Sequence, residues 1–366
     1  MIMAPQPPIP STLAPFVTSI PQTSLTVVST VLGATSNWLV LRFLFAALNP
    51  ATGRTTDLVP NALEDDGVHR KVVLVSFLRS WDFWRSEAKR LGLDLARLLN
   101  EGRFAFIDGL SELFDLPGAA PPPAPAALQI ARTLPVRSPQ LQVPQIPTSP
   151  KRSSGDDIKR LHIRGHGVTA LDSLQKEILT IVENVRTQGR TDRTGHQKTE
   201  ILLVIDQPDF LLAAMGTGQG IGASEMQDWL MGLEQVRRKD LRKDPDDERE
   251  DLTVFPEEQA VHSTILTLSA DSPLLHNASA WSQQQVTPLE TEHTNFVVGL
   301  CHRARMVIQL RNLDTGVARD VSGVLRTSRG GAWEEEQSKD GEKWEEKEVL
   351  YFIQRDAGVR VFERGE

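Results

Sequence analysis

Short β-branched runs alternate with helical segments through most of this chain, and that alternation limits its fold more than any other feature. Residues 25–31, 71–77 and 104–108 are β-branched or largely apolar runs of strand length, and residues 37–48 and 81–91 between them read as helices. Strands of this kind, with so few charges, are expected to be buried on both faces. The pattern strand–helix–strand–helix–strand therefore predicts an α/β fold: a mostly parallel sheet with helices on both faces.

The rest of the chain extends the pattern. Leu171, Leu174, Ile178, Val182 and Val185 keep helical spacing, and residues 201–205 form a core-type strand ending at Asp206. Met226, Trp229, Leu230 and Leu233 mark another helix, residues 264–268 a strand, 294–304 a helix and 305–310 a strand. Residues 321–326, 349–353 and 359–362 are expected to form a terminal antiparallel meander. No internal repeat is found. The summed order suits a RecA-like core with a C-terminal antiparallel extension. One domain over 16–366 is expected, after a flexible N-terminus at 1–15. Residues 117–158 are rich in proline and small polar residues that build no packed core, and read as a disordered insertion; a peptide-ligand role for the prolines is the alternative. Residues 333–348 (WEEEQSKDGEKWEEKE) read as a charged loop or hairpin tip.

The net charge of −8 opposes a stand-alone nucleic-acid binder, though not a local basic patch. Arg237, Arg238, Lys239, Arg242 and Lys243 form such a cluster, but Asp240, Asp244, Asp246 and Asp247 are interleaved with it, and a solvated charged segment is the simpler reading. One cysteine, Cys301, allows no intramolecular disulfide. The longest apolar run, residues 38–48, includes Arg42 and falls short of the roughly 20 residues that span a bilayer. No secretory signal is recognised at the N-terminus. A cytoplasmic protein, also compatible with the nucleus, is expected, with no membrane contact.

A nucleotide site in a RecA-like core needs a glycine turn with a lysine and a hydroxyl, a carboxylate that orients water, and an acid that holds the metal-bound water. The segment VVSTVLGATSNWLV keeps the strand–turn–helix frame around Gly33, but the lysine and hydroxyl positions fall near Leu39 and Val40. The strand at 71–77 runs on into Leu78, Arg79 and Ser80, which supply no carboxylate. Asp206 meets the third requirement by position. No catalytic residue, cofactor or metal is therefore expected. The alternative is an active nucleotide-binding ATPase with a non-standard site, in which Arg42 or Arg79 does the work of the missing lysine. His162 and His166 have a metal-compatible spacing, but the glycines around them disfavour a helix and no third ligand is evident. Cys301 shares a helical face with Val297 and Leu300 and reads as a structural thiol. No Gly-x-Ser-x-Gly elbow is present.

Three stretches, TSNWLVLRFL, VVLVSFLRSWDFWRSEAKRLGLDL and RFAFIDGLSELF, resemble the Elongator complex protein 6 family in a fungal-type version, and ILLVIDQPDFLLAA extends the likeness. The resemblance covers the first third of the chain well and the C-terminal part by pattern only. It implies a RecA-like fold without the ATPase motifs, in a hetero-hexameric ring with the fourth and fifth Elongator subunits. That ring associates with the catalytic Elongator subcomplex, binds tRNA and supports wobble-uridine modification. Two surfaces are then expected. Trp38, Leu41, Phe45, Arg79, Trp81 and Trp84 are candidates for the subunit interface, with core burial as the alternative for the apolar ones. Gly216, Gly218, Gly220 and Gly222, with His276, Gln283, Gln284 and Gln285, are candidates for tRNA contact in loops that would line the ring.

Overall fold

The computed structural model describes residues 8–49, 69–115, 158–188, 199–216, 218, 220–235, 260–275, 286–314, 316, 318–334 and 345–363. The strands are β1 (Ser24–Thr30), β2 (His69–Ser76), β3 (Phe104–Asp108), β4 (Lys159–Arg160), β5 (Thr199–Asp206), β6 (Ser263–Ser269), β7 (Met306–Arg311), β8 (Gly323–Arg329), β9 (Lys347–Ile353) and β10 (Val359–Phe362). The helices are α1 (Ala14–Val17), α2 (Asn37–Leu48), α3 (Trp81–Arg90), α4 (Leu95–Asn100), α5 (Val168–Thr187), α6 (Asp209–Met215), α7 (Ala223–Glu234), α8 (Ser272–Leu275) and α9 (Pro288–Arg303).

All ten strands join in one sheet, ordered β10-β9-β8-β7-β1-β6-β5-β2-β3-β4. Pairing is parallel from β7 through to β4. It is antiparallel where β8, β9 and β10 extend the sheet beyond β7. The chain steps from β1 across to β2, β3 and β4, then turns back through β5 and β6 to β7. Parallel crossovers keep one hand, so a reversal of direction must come with a change of face. It does: α2, α3 and α4 pack with one apolar cluster, and α5, α6, α7 and α9 with the cluster on the opposite face.

β1 is buried at every position, with Leu25 and Val27 in one cluster and Val28 in the other. α2 is apolar nearly all round because it is covered on two sides. Its Trp38 ring meets Tyr351 of β9 at 4.8 Å, so the antiparallel extension closes over it. Burial pushes the Tyr351 phenol up to about 12.

Several boundaries differ from those read in the sequence. Leu13 is buried, so the packed chain starts ahead of residue 16. α9 begins at Pro288 rather than 294, because Thr287 and Glu290 form a capping box ahead of the first apolar turn. β9 begins at Lys347, inside the span read as a charged loop. Residues 335–344 of that loop, 117–157 of the proline-rich stretch and the 237–251 charge cluster lie outside the described residues. Among the described residues no helix is long and apolar enough to cross a membrane.

Candidate functional site

The carboxyl ends of β2, β5 and β6 share one register row, in which Ser76 pairs with Asp206 and Asp206 with Thr267. In a parallel sheet such neighbours point to the same side, so these three side chains converge by topology alone. Asp206, fully buried, is the centre of the row. Ser76 Oγ donates to its Oδ2 at 2.8 Å and Thr267 Oγ1 to its Oδ1 at 2.9 Å. Arg79 Nη1 donates to both oxygens, at 2.7 and 3.0 Å.

These bonds come close to filling the acceptor capacity of a carboxylate. Three oxygen-bearing side chains and one guanidinium thus form a neutralised, hydrogen-bonded knot. Arg79 is fixed at both ends of its side chain. Its amide donates to Ser76 Oγ at 3.0 Å, and its guanidinium lies 5.7 and 5.9 Å from the Phe83 and Trp84 ring centres. Asp206 is spent on this pair, which leaves it little capacity to orient a metal-bound water.

The turn after β1 is tight. Ala34 N donates to Val31 O at 2.9 Å, with Gly33 at the left-handed φ of +91° that an L side chain rarely adopts. Neighbouring side chains pin the turn: Leu32 N donates to Asp271 Oδ1 at 2.7 Å, and Asn312 Nδ2 donates to Leu32 O at 2.9 Å. A carboxylate from the end of β6 therefore takes an amide of this turn and sets a negative charge beside it. The turn, like Asp206, makes a poor seat for a triphosphate.

Neither arginine proposed as a substitute for the lysine is placed to serve. Arg79 is committed to Asp206. Arg42 is buried at the far side of α2, donating to Trp38 O at 2.9 Å and Ala357 O at 2.5 Å. No carboxylate among the described residues pairs with it, and burial pushes its guanidinium down to about 10. Arg42→Met should therefore leave unfolding free energy within about 1 kcal/mol of the parent in urea titration, because the lost hydrogen bonds and the relieved burial of charge oppose one another.

Of the candidate interface residues, Trp38, Leu41, Trp81 and Trp84 lie in the core of the chain, the alternative the sequence left open for apolar residues. All four are buried, and Trp81 packs on Phe104 and Phe106. The helices that carry them are held against the sheet, so their aromatic faces are used inside the chain. Phe45 is half-buried against the same cluster. The exposed large apolar side chains include Val168 and Val298 on α5 and α9, and three that follow β1, β2 and β3 at the carboxyl edge of the parallel strands: Leu32 (84%), Leu78 (45%) and Phe114 (56%). Nothing in the sequence distinguished Leu32, Leu78 and Phe114, because each directly follows an apolar residue (Val31, Phe77 and Leu113) and reads as the end of that run.

Gly216, Gly218, Gly220 and Gly222 lie between α6 and α7. The Gly222 and Ala223 amides donate to Glu225 Oε2 and Glu292 Oε2, at 2.9 and 2.7 Å, so the end of this loop nearest α7 is acidic. His276, Gln283, Gln284 and Gln285 lie outside the described residues. His162 approaches Glu112 at 3.3 Å, and no group of three or more metal-ligating side chains occurs among the described residues. Cys301 is half-buried beside the core, and burial raises its thiol pKa.

Sequence reasoning missed Ser76 and Thr267, whose signal was their shared place at strand ends. It also missed Asp209 and His293, which meet at 3.4 Å under Ser269, whose amide donates to Asp209. Gln207, between Asp206 and α6, holds a φ of +57° and donates its amide to Thr267 Oγ1. No protein-family model and no curated protein matches this chain.

Proposed function

We propose that this chain is a non-catalytic subunit of the Elongator complex, like its sixth subunit, which joins the fourth and fifth subunits in a hetero-hexameric RecA-like ring. Through that ring it supports tRNA binding and wobble-uridine modification. The observation that carries the reading is the Arg79–Asp206 pair: the one retained acid of the nucleotide site is bound by the chain's own cation. The sheet order agrees with a RecA-like core, with the glycine turn at the end of β1 and Asp206 at the end of β5, and β6 between the two strands. RecA-like subunits present the carboxyl edge of the sheet to a neighbour. In this chain that edge carries Leu32, Leu78 and Phe114, exposed apolar groups of the kind that subunit contacts cover.

Co-expression with the fourth and fifth subunits, followed by native mass measurement, tests the assembly. A complex with two copies of each is expected. A monodisperse monomer that ignores both partners would end the proposal. Leu32→Asp combined with Leu78→Asp should weaken association ~tenfold or more, as apolar anchors do. The melting temperature should hardly move, because both residues are exposed. Crosslinking the assembled ring to tRNA, with adducts mapped to peptides, tests the RNA contact. Adducts at 216–222 or 269–285 are expected, and their absence would remove those loops from the proposal.

A further inference from the structure

The strand-end knot has a property that does not depend on ring assembly. Ser76 Oγ, Asp206 and Thr267 Oγ1 bring together oxygen atoms of the kind that hold a hard divalent cation, a carboxylate flanked by hydroxyls. A RecA-like fold would place magnesium near such an acid, but these residues do not fit one as they stand, because a guanidinium already lies within 3.0 Å of both Asp206 oxygens.

We infer that Arg79 is a tethered replacement for a divalent metal ion, which keeps the carboxyl edge of this sheet charged and shaped the same way with or without metal and nucleotide. The guanidinium supplies the single positive charge that Asp206 needs. It is attached to the chain three residues after β2, so it loses little translational freedom on binding, whereas a free ion must be captured from solution. Its side chain is 13% exposed, so it lies between the buried acid and solvent. Nearby groups reinforce the choice. The Arg79 amide on Ser76 and the rings of Phe83 and Trp84 hold the guanidinium in place. Arg79 also follows Leu78 directly, so the pair anchors the turn that presents this exposed side chain.

The experiment compares metal response in the purified full chain, read by thermal melting and by manganese binding in electron paramagnetic resonance. The parent should melt at the same temperature with manganese, magnesium or a chelator, and should bind manganese weakly or not at all. Arg79→Ala should lower the melting temperature, regain part of the loss when manganese is added, and bind manganese ~tenfold or more tighter than the parent, because the vacated carboxylate and hydroxyls become available to the ion. Arg79→Ala with Asp206→Asn should lose that response. A parent that binds manganese as tightly as Arg79→Ala, or an Arg79→Ala chain indifferent to manganese, overturns the inference. Should Arg79→Ala fail to fold, Arg79→Gln retains the packing of the side-chain stem and is read by the same criteria.

Discussion

Asp206→Ala is expected to destabilise the chain by about 3–5 kcal/mol, the cost of breaking a buried ion pair from one side. The loss goes well beyond one interaction. Arg79 would keep its charge in a largely buried position, and Ser76 Oγ and Thr267 Oγ1 would both lose their acceptor. Stranded groups of this kind carry the full penalty of desolvation. Removing the partner as well should therefore recover much of the loss. Arg79→Met with Asp206→Ala is expected to be more stable than Asp206→Ala alone, even though it carries one more substitution. Asp206→Asn should fall between, since its amide keeps one acceptor but no charge. Urea unfolding of the parent, Asp206→Ala, Arg79→Met and the double variant provides a complete double-mutant cycle. A near-zero coupling energy would show that the pair is an exposed, screened contact rather than the centre of a buried knot.

The framework of this fold was legible because buried parallel strands leave little room for other readings. The run at 104–108 and the helix at 37–48 occupy the spans expected. β4, two exposed residues, carries no apolar signal, and it exists only because β3 offers an edge to pair with. α4 is a single short helix set by Asp94, whose side chain caps Arg97 N, and its six residues are too few for periodicity to register. The site divided along similar lines. Asp206 was visible as an acid at the end of an apolar run. Its partners were hidden because Ser76, Arg79 and Thr267 come from two other stretches of chain, and only strand order brings them together. The tryptophans show the opposite difficulty. An aromatic on an apolar helix satisfies both a core and an interface reading, and the choice depends on whether a second layer of structure covers it. Trp38 is covered by the C-terminal extension, which no local pattern around residue 38 could announce. Gly109, directly after β3, is set by packing as well. A side-chain carbon at Gly109 would come within 2.6 Å of the Phe77 ring, so this glycine serves close packing between strand ends.

Trp84→Ala is the second substitution with a large expected effect, also about 3–5 kcal/mol, from an indole lost out of a filled core. Trp84 is fully buried in the cluster between α3 and the sheet, stands edge-on to Phe83 at 5.6 Å, and lies under the Arg79 guanidinium. Its Nε1 has no hydrogen-bond partner among the described residues, so the ring contributes through volume and contact rather than through its polar atom. Trp84→Phe, which removes the unpartnered N–H and leaves a smaller void, should cost only about 1–2 kcal/mol. This order separates a core role from an interface role. A core residue destabilises the isolated chain when truncated, whether or not partners are present. An interface residue would leave the isolated chain nearly unchanged and weaken only the complex. Unfolding of the purified chain, set beside the yield of co-expressed complex, distinguishes the two. If Trp84→Ala unfolds in urea like the parent yet fails to assemble, α3 faces a partner and its burial against the sheet is wrong.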